Sequence, residues 1–196
     1  MELGLQYIEQ APRRDFRGPN IIYFVDGLPD VTERIMYGRY EEVIFNEAPE
    51  EALDRLVNVY LDASSRVLHA GHLPCFTTVA PMSLEDWNTT RMNVHKVTSH
   101  LIHHRQYPTM QYLLNQTISS LNYKIMDINT SNNMETPHLA GLIMSGRGAN
   151  SSQECRVRYH HLEDGCHPHL YIIEKWQRTL SEVAFANRVN LDHFIS

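Results

Sequence analysis

"IIYFVDG", residues 21–27, is mostly apolar and β-branched and ends on the turn dipeptide Asp-Gly. That is the pattern of a strand covered on both faces, as in a parallel sheet. Downstream, "LPDVTERIMYGRY" (28–40) reads as a loop. Over residues 41–69 the apolar positions Val43, Ile44, Leu53, Leu56, Val57, Tyr60, Leu61 and Leu68 recur largely at helical spacing. Pro49, followed by Glu50 and Glu51, suits a helix start inside that region, and Gly71 ends it. "CFTTVAPMS" (75–83) reads as a second short strand closed by Pro81. Residues 91–129 are helical by composition and broken at Pro108, leaving Leu113, Leu114, Ile118, Leu121, Ile125 and Ile128 as the apolar face of the second half. Residues 130–137 form a loop. Residues 138–154 begin apolar and end in a Gly/Ser/Asn-rich surface loop. "LYIIEKWQRTLSEVAFANRVNLDHF" (170–194) closes the chain as an amphipathic helix. Strand, helix, strand, helices and closing helix is the order of an α/β domain with a parallel sheet. Segment 1–19 is expected to be an N-terminal loop and 20–196 the domain. In such sheets ligands bind beyond the carboxyl ends of the strands. Gly27 and Asp30 after the first strand, and Pro81 and Ser83 after the second, are therefore the candidate pocket residues.

Composition narrows the function classes. The chain has 196 residues, enough to bury a core without staples. A hydrophobic content of 42% with 20% charged residues is globular rather than disordered. A net charge of −6 argues against a nucleic-acid binder that works by charge, so the expected partner is a protein or a second copy of the chain. No apolar run reaches the length of a membrane span and no hydrophobic leader is visible. Three cysteines are too few for a disulfide scaffold, which favours an intracellular, cytoplasmic setting.

The chemistry-bearing stretch is "HLEDGCHPHL" (161–170). A nucleophile needs a base, and the base needs an acid that fixes its tautomer. Asp164 and His167, three residues apart on one turn, can supply that pair. On spacing alone, a polar turn whose Asp caps the following helix is the favoured alternative. Cys155, His160, Cys166 and His169 offer zinc donors within fifteen residues, but no Cys-x₂-Cys pair exists, and the cysteines read better as core fillers. Asp26 and Asp30, with Glu163 and Asp164, could hold Mg²⁺, though turn-capping acids are the simpler account.

"DGCHPH" followed by a helix carrying Trp176 resembles the final block of the SGNH-hydrolase (GDSL-like esterase) superfamily. "IIYFVDGLPDVTERI" and "FTTVAPMSLEDWN" resemble its upstream strand-and-loop blocks, and "LNYKIMDIN" the helix between. The resemblance spans roughly residues 20–190. It is most similar to SGNH-like domains of animal mobile-element and viral proteins. It implies a three-layer α/β sandwich with a mostly parallel, flavodoxin-like sheet, with His167 as base and Asp164 as its orienter.

The departures are specific. No Gly-Asp-Ser motif exists, and the first serine of the chain is Ser64. Pro29 stands where the family's oxyanion-hole Asn would fall, and proline has neither amide side chain nor N–H. Losing one such donor costs about 2.7–4 kcal/mol of transition-state stabilisation. The residues before Ile21 are too few for a strand and a crossover. The first β-α unit is therefore either missing or supplied by another segment or chain. The expectation is an SGNH-like binding or assembly module of a mobile-element or viral protein that has lost catalysis, with no cofactor. The alternatives are an active esterase or deacetylase that uses Asp164 and His167 with a serine from elsewhere or Ser83, and a zinc-stabilised interaction domain.

Overall fold

The computed structural model describes residues 19–25, 31–37, 40–95, 103–145 and 156–195. Strand β1 (Ile21–Phe24) pairs in parallel with β4 (Leu73–Phe76), in the register Ile21↔Leu73 to Phe24↔Phe76. Between them lie the antiparallel pair β2 (Glu33–Tyr37) and β3 (Tyr40–Ile44) and helix α1 (Pro49–His69). Helices α2 (Leu84–His95) and α3 (Tyr107–Ser131) follow. A second antiparallel pair, β5 (Met144–Ser145) with β6 (Arg156–Val157), precedes helix α4 (Leu170–Ile195). Among the described residues the architecture is thus α/β, with four helices, one two-stranded parallel sheet and two two-stranded antiparallel ones. No helix among these residues is long and apolar enough to cross a membrane.

The punctuation residues act as expected. Pro49 opens α1, Pro108 sits in the first turn of α3, and Gly71 takes a φ of 81° just past α1, where a side chain would be strained. Two expectations need correction. Residues 33–37 and 40–44 form an antiparallel strand pair rather than a loop running into a helix, because Val43 pairs with Arg34 and Glu42 is buried. The Glu42 carboxylate is satisfied by the Tyr107 hydroxyl at 2.6 Å and by the His103 backbone N–H and ring. The second strand also starts earlier and ends at Phe76, not near Pro81.

The reason is an edge. Leu73 and Thr77 donate toward β1, to Asn20 and Phe24, so alternation turns Pro74 and Phe76 to the outer side. Pro74 has no N–H to offer there. At Phe76 the side chain of Asn129 on α3 takes the place of a neighbouring strand: it accepts from the Phe76 N–H at 2.9 Å and donates to its C=O at 2.7 Å. Two turns earlier Asn122 does the same for Val79, at 2.7 and 3.0 Å. Gln111 then accepts from Leu84 N–H and donates to Met82 C=O. The segment 77–83 is therefore held extended by the amide side chains of one helix. Asn88 on α2 brackets Val43 in the same way.

The core explains the helix faces. Leu114, Ile118, Leu121 and Ile125 of α3 and Leu56 and Tyr60 of α1 are buried together with Phe76. Each aliphatic side chain so removed from water contributes roughly 1.5–3 kcal/mol. Phe76 stacks on Phe24 and meets the edge of Tyr60. On the opposite side of the strands, Tyr23 and Cys75 face α4, where Asn187 donates to the Tyr23 hydroxyl and brackets both backbone groups of Glu135. The Cys75 thiol is pushed up to about 12 by burial, against a smaller downward pull from Asn187. It is a core group, not a thiolate.

Candidate functional site

Residues 161–169 close on themselves. His169 N–H donates to His161 C=O, and Glu163 N–H to His167 C=O. Inside this loop one Asp164 oxygen accepts the backbone N–H groups of Cys166 (3.1 Å) and His167 (2.8 Å). The other lies 2.7 Å from His167 Nδ1. Gly165 makes the reversal with a φ of 86°, and its C=O accepts the Ser83 N–H at 2.6 Å, which seats the loop on the start of α2. The expected acid–imidazole pair is therefore formed, on a turn anchored to a helix.

Partial burial tends to raise the Asp164 carboxyl, but the hydrogen bonds from His167 and Cys166 outweigh it and hold the group below its ordinary value. A depressed carboxyl pKa contributes stability above the unfolded value of about 3.9. That contribution is lost as pH falls through the lowered folded value. The pair stands at the surface: the His167 side chain is 65% exposed and that of Asp164 23%.

His167 forms part of the wall of a cavity of about 410 Å³ at the carboxyl ends of β1 and β4. Val25 and residues 77–82 contribute the strand-end side, and Thr32, Arg34 and Val43 the β2–β3 side. Trp87 and Arg91 come from α2, Leu139 from the loop after α3, and Trp176 from α4. The His167 ring lies 5.5 Å from that of Trp87, and the Arg91 guanidinium lies 4.4 Å from the centre of the same indole. Trp176 is fixed by its indole N–H, which donates to Leu139 C=O at 2.8 Å.

The sequence-derived candidates separate accordingly. His167 and Pro81 line this cavity, and Asp164 stands behind His167, bonded to its ring. Ser83 does not line it; its hydroxyl accepts the Asp86 N–H at 3.2 Å as a cap of α2. Gly27 and Asp30, with Asp26 and Pro29, lie outside the described residues, as does Cys155. Of the zinc set, Cys166 lines the cavity, His160 packs on His161, and His169 stacks on Tyr171. Among the described residues no three His, Cys, Asp or Glu side chains are grouped to hold a metal ion. No serine among them lines the cavity, and the hydrogen-bond partner of the His167 ring is Asp164 alone. Thr78, which does line it, has its hydroxyl engaged by Ala140 N–H and Pro137 C=O.

Arg34, Trp87 and Arg91 escape the sequence reading because residues 28–40 read there as a loop and the helix is read only from residue 91, which separates Trp87 from Arg91. The Trp87–Arg91 spacing of four is a helical-face signal that becomes visible once α2 starts at Leu84.

No family model, no curated protein and no solved structure matches this chain.

Proposed function

We propose that this chain is an SGNH-hydrolase-like domain that has lost covalent catalysis and binds a small, largely apolar ligand at its strand ends, as a binding or assembly module. The observation that carries the proposal is the place of His167: backed by Asp164, on the wall of the strand-end cavity, yet 65% exposed and without a hydroxyl partner among the described residues. A catalytic base earns its effect in a dry site with a nucleophile in reach. In open water the attraction between such a pair is largely screened. The cavity fits a ligand pocket by size, by its aromatic walls and by its place beyond the strand termini. Helical side chains on both faces of the β1–β4 pair support a layered, flavodoxin-like sandwich: Tyr60 on one, Asn187 on the other. Membership in a mobile-element or viral protein rests on the sequence resemblance.

Active ester hydrolysis is the second possibility, favoured by the 2.7 Å contact that leaves His167 Nε2 available as a base. Turnover of p-nitrophenyl acetate separates the two. For a binding module the wild type and His167→Ala hydrolyse it at equal rates, and a fluorophosphonate probe leaves no adduct. A rate drop of about a hundredfold or more in His167→Ala, within the usual 10²–10⁴ range for a general base, establishes the enzyme instead.

A further inference from the structure

We infer that the strand-end pocket selects an apolar organic carboxylate, with Arg91 and Arg34 receiving the anionic head. The inference rests on the pocket being a ligand site and adds the class of ligand. The chain as a whole is acidic, at −6. Yet among the described residues the pocket wall carries two guanidinium groups and one imidazole and no carboxylate. The two guanidinium charges are not consumed by the fold, whereas the imidazole is engaged by Asp164. Arg34 meets Glu41 at 3.3 Å in a pair whose side chains are 55% and 31% exposed, an arrangement that contributes little and can be shared with a ligand. Arg91 makes no ion pair among the described residues; it lies over the Trp87 indole. A guanidinium held over an indole face keeps N–H groups that can take an oxyanion with two parallel hydrogen bonds.

Apart from Thr32, Thr77 and Thr78 the remaining wall is apolar: Val25, Val43, Val79, Met82 and Trp176 present hydrocarbon to the body of the ligand. With Arg34 half offset by Glu41, roughly one cationic charge is left uncompensated at Arg91. That balance favours a monoanionic carboxylate over a phosphate dianion.

The molecule carries its own reporter, because its two tryptophans, Trp87 and Trp176, both line this pocket. The full-length chain is titrated with octanoate, octan-1-ol and octylammonium near neutral pH, and tryptophan emission is followed. Octanoate is expected to saturate with a Kd about tenfold or more below that of octan-1-ol, with octylammonium weakest. Arg91→Met is expected to bring octanoate within about twofold of octan-1-ol while leaving the alcohol unchanged. Raising salt from about 0.05 M to about 0.5 M on the wild type is expected to narrow the octanoate advantage, and this arm needs no variant to fold. Equal affinities for octanoate and octan-1-ol, or an advantage that survives both salt and Arg91→Met, overturn the carboxylate inference and leave the ligand site standing. Emission unmoved by any of the three compounds overturns both.

Discussion

Replacing Gly165 with alanine is expected to cost about 2–5 kcal/mol of stability and to release the Asp164–His167 turn from α2. Two costs add. The backbone φ of 86° is open to glycine but strains an alanine by roughly 1–2 kcal/mol. The new Cβ would also stand 2.6 Å from Trp87 N and 2.8 Å from both Ser83 O and Asp86 Cβ. Two of these are backbone atoms already joined in the first turn of α2, where Trp87 N–H donates to Ser83 C=O at 3.1 Å. They cannot yield without opening the helix start, and overpacking of this kind costs about 1–3 kcal/mol. The Ser83 N–H to Gly165 C=O bond is strained by the same displacement. Urea unfolding followed by tryptophan emission measures the loss. Gly141→Ala is the control: a Cβ there meets nothing within 4 Å, and its midpoint is expected to move by no more than about 0.5 kcal/mol.

Asn129→Ala is expected to be comparably damaging, at about 3–5 kcal/mol. The side chain is fully buried and serves three groups: the Phe76 N–H, the Phe76 C=O and the Thr136 hydroxyl. Removing it leaves two backbone groups of β4 buried and unpaired, each at about 1–3 kcal/mol. Asn129→Asp keeps the size and the acceptor for Phe76 N–H but sets a carboxylate oxygen against the Phe76 C=O, so it rescues little. Asn122→Ala, whose bracket on Val79 is only partly buried, is expected to cost less because water can enter. Chemical denaturation ranks the three. Amide hydrogen exchange at Phe76 adds a direct check: protection falls sharply in Asn129→Ala and stays near wild type in Asn122→Ala.

These two sites also mark how far the sequence can be read. β1, α1, α3 and α4 are legible because their apolar residues keep the period of their element, and because Pro49, Gly71 and Pro108 punctuate them. The β2–β3 pair is not. Glu41 and Glu42 fall in the 41–69 stretch whose apolar spacing reads as helical, whereas Glu42 is buried through partners 61 and 65 residues away, which no local pattern announces. The amide stripe of α3 (Gln111, Asn115, Asn122 and Asn129) stands in the sequence beside its apolar stripe. Its meaning depends on backbone groups of a segment that has no strand to pair with. Asp164 and His167 are legible as a pair because three residues on one turn suffice to join them. Their exposure, and the Trp87–Arg91 surface beside them, follow from where α2 begins, and that is set by Ser83 meeting Gly165 across the fold.

In the proposed function the Asp164–His167 pair and the strand-end pocket form one ligand site. ¹⁵N–¹H spectra of the His167 ring, recorded with and without octan-1-ol, test it most directly. With Nδ1 held against Asp164, the neutral ring is predicted to carry its proton on Nδ1, since the hydrogen bond of one ring nitrogen sets the tautomer. Its Nε2 signal is then predicted to shift saturably as the alcohol fills the pocket. A ring protonated on Nε2 whose signals do not respond to the alcohol would contradict the claim.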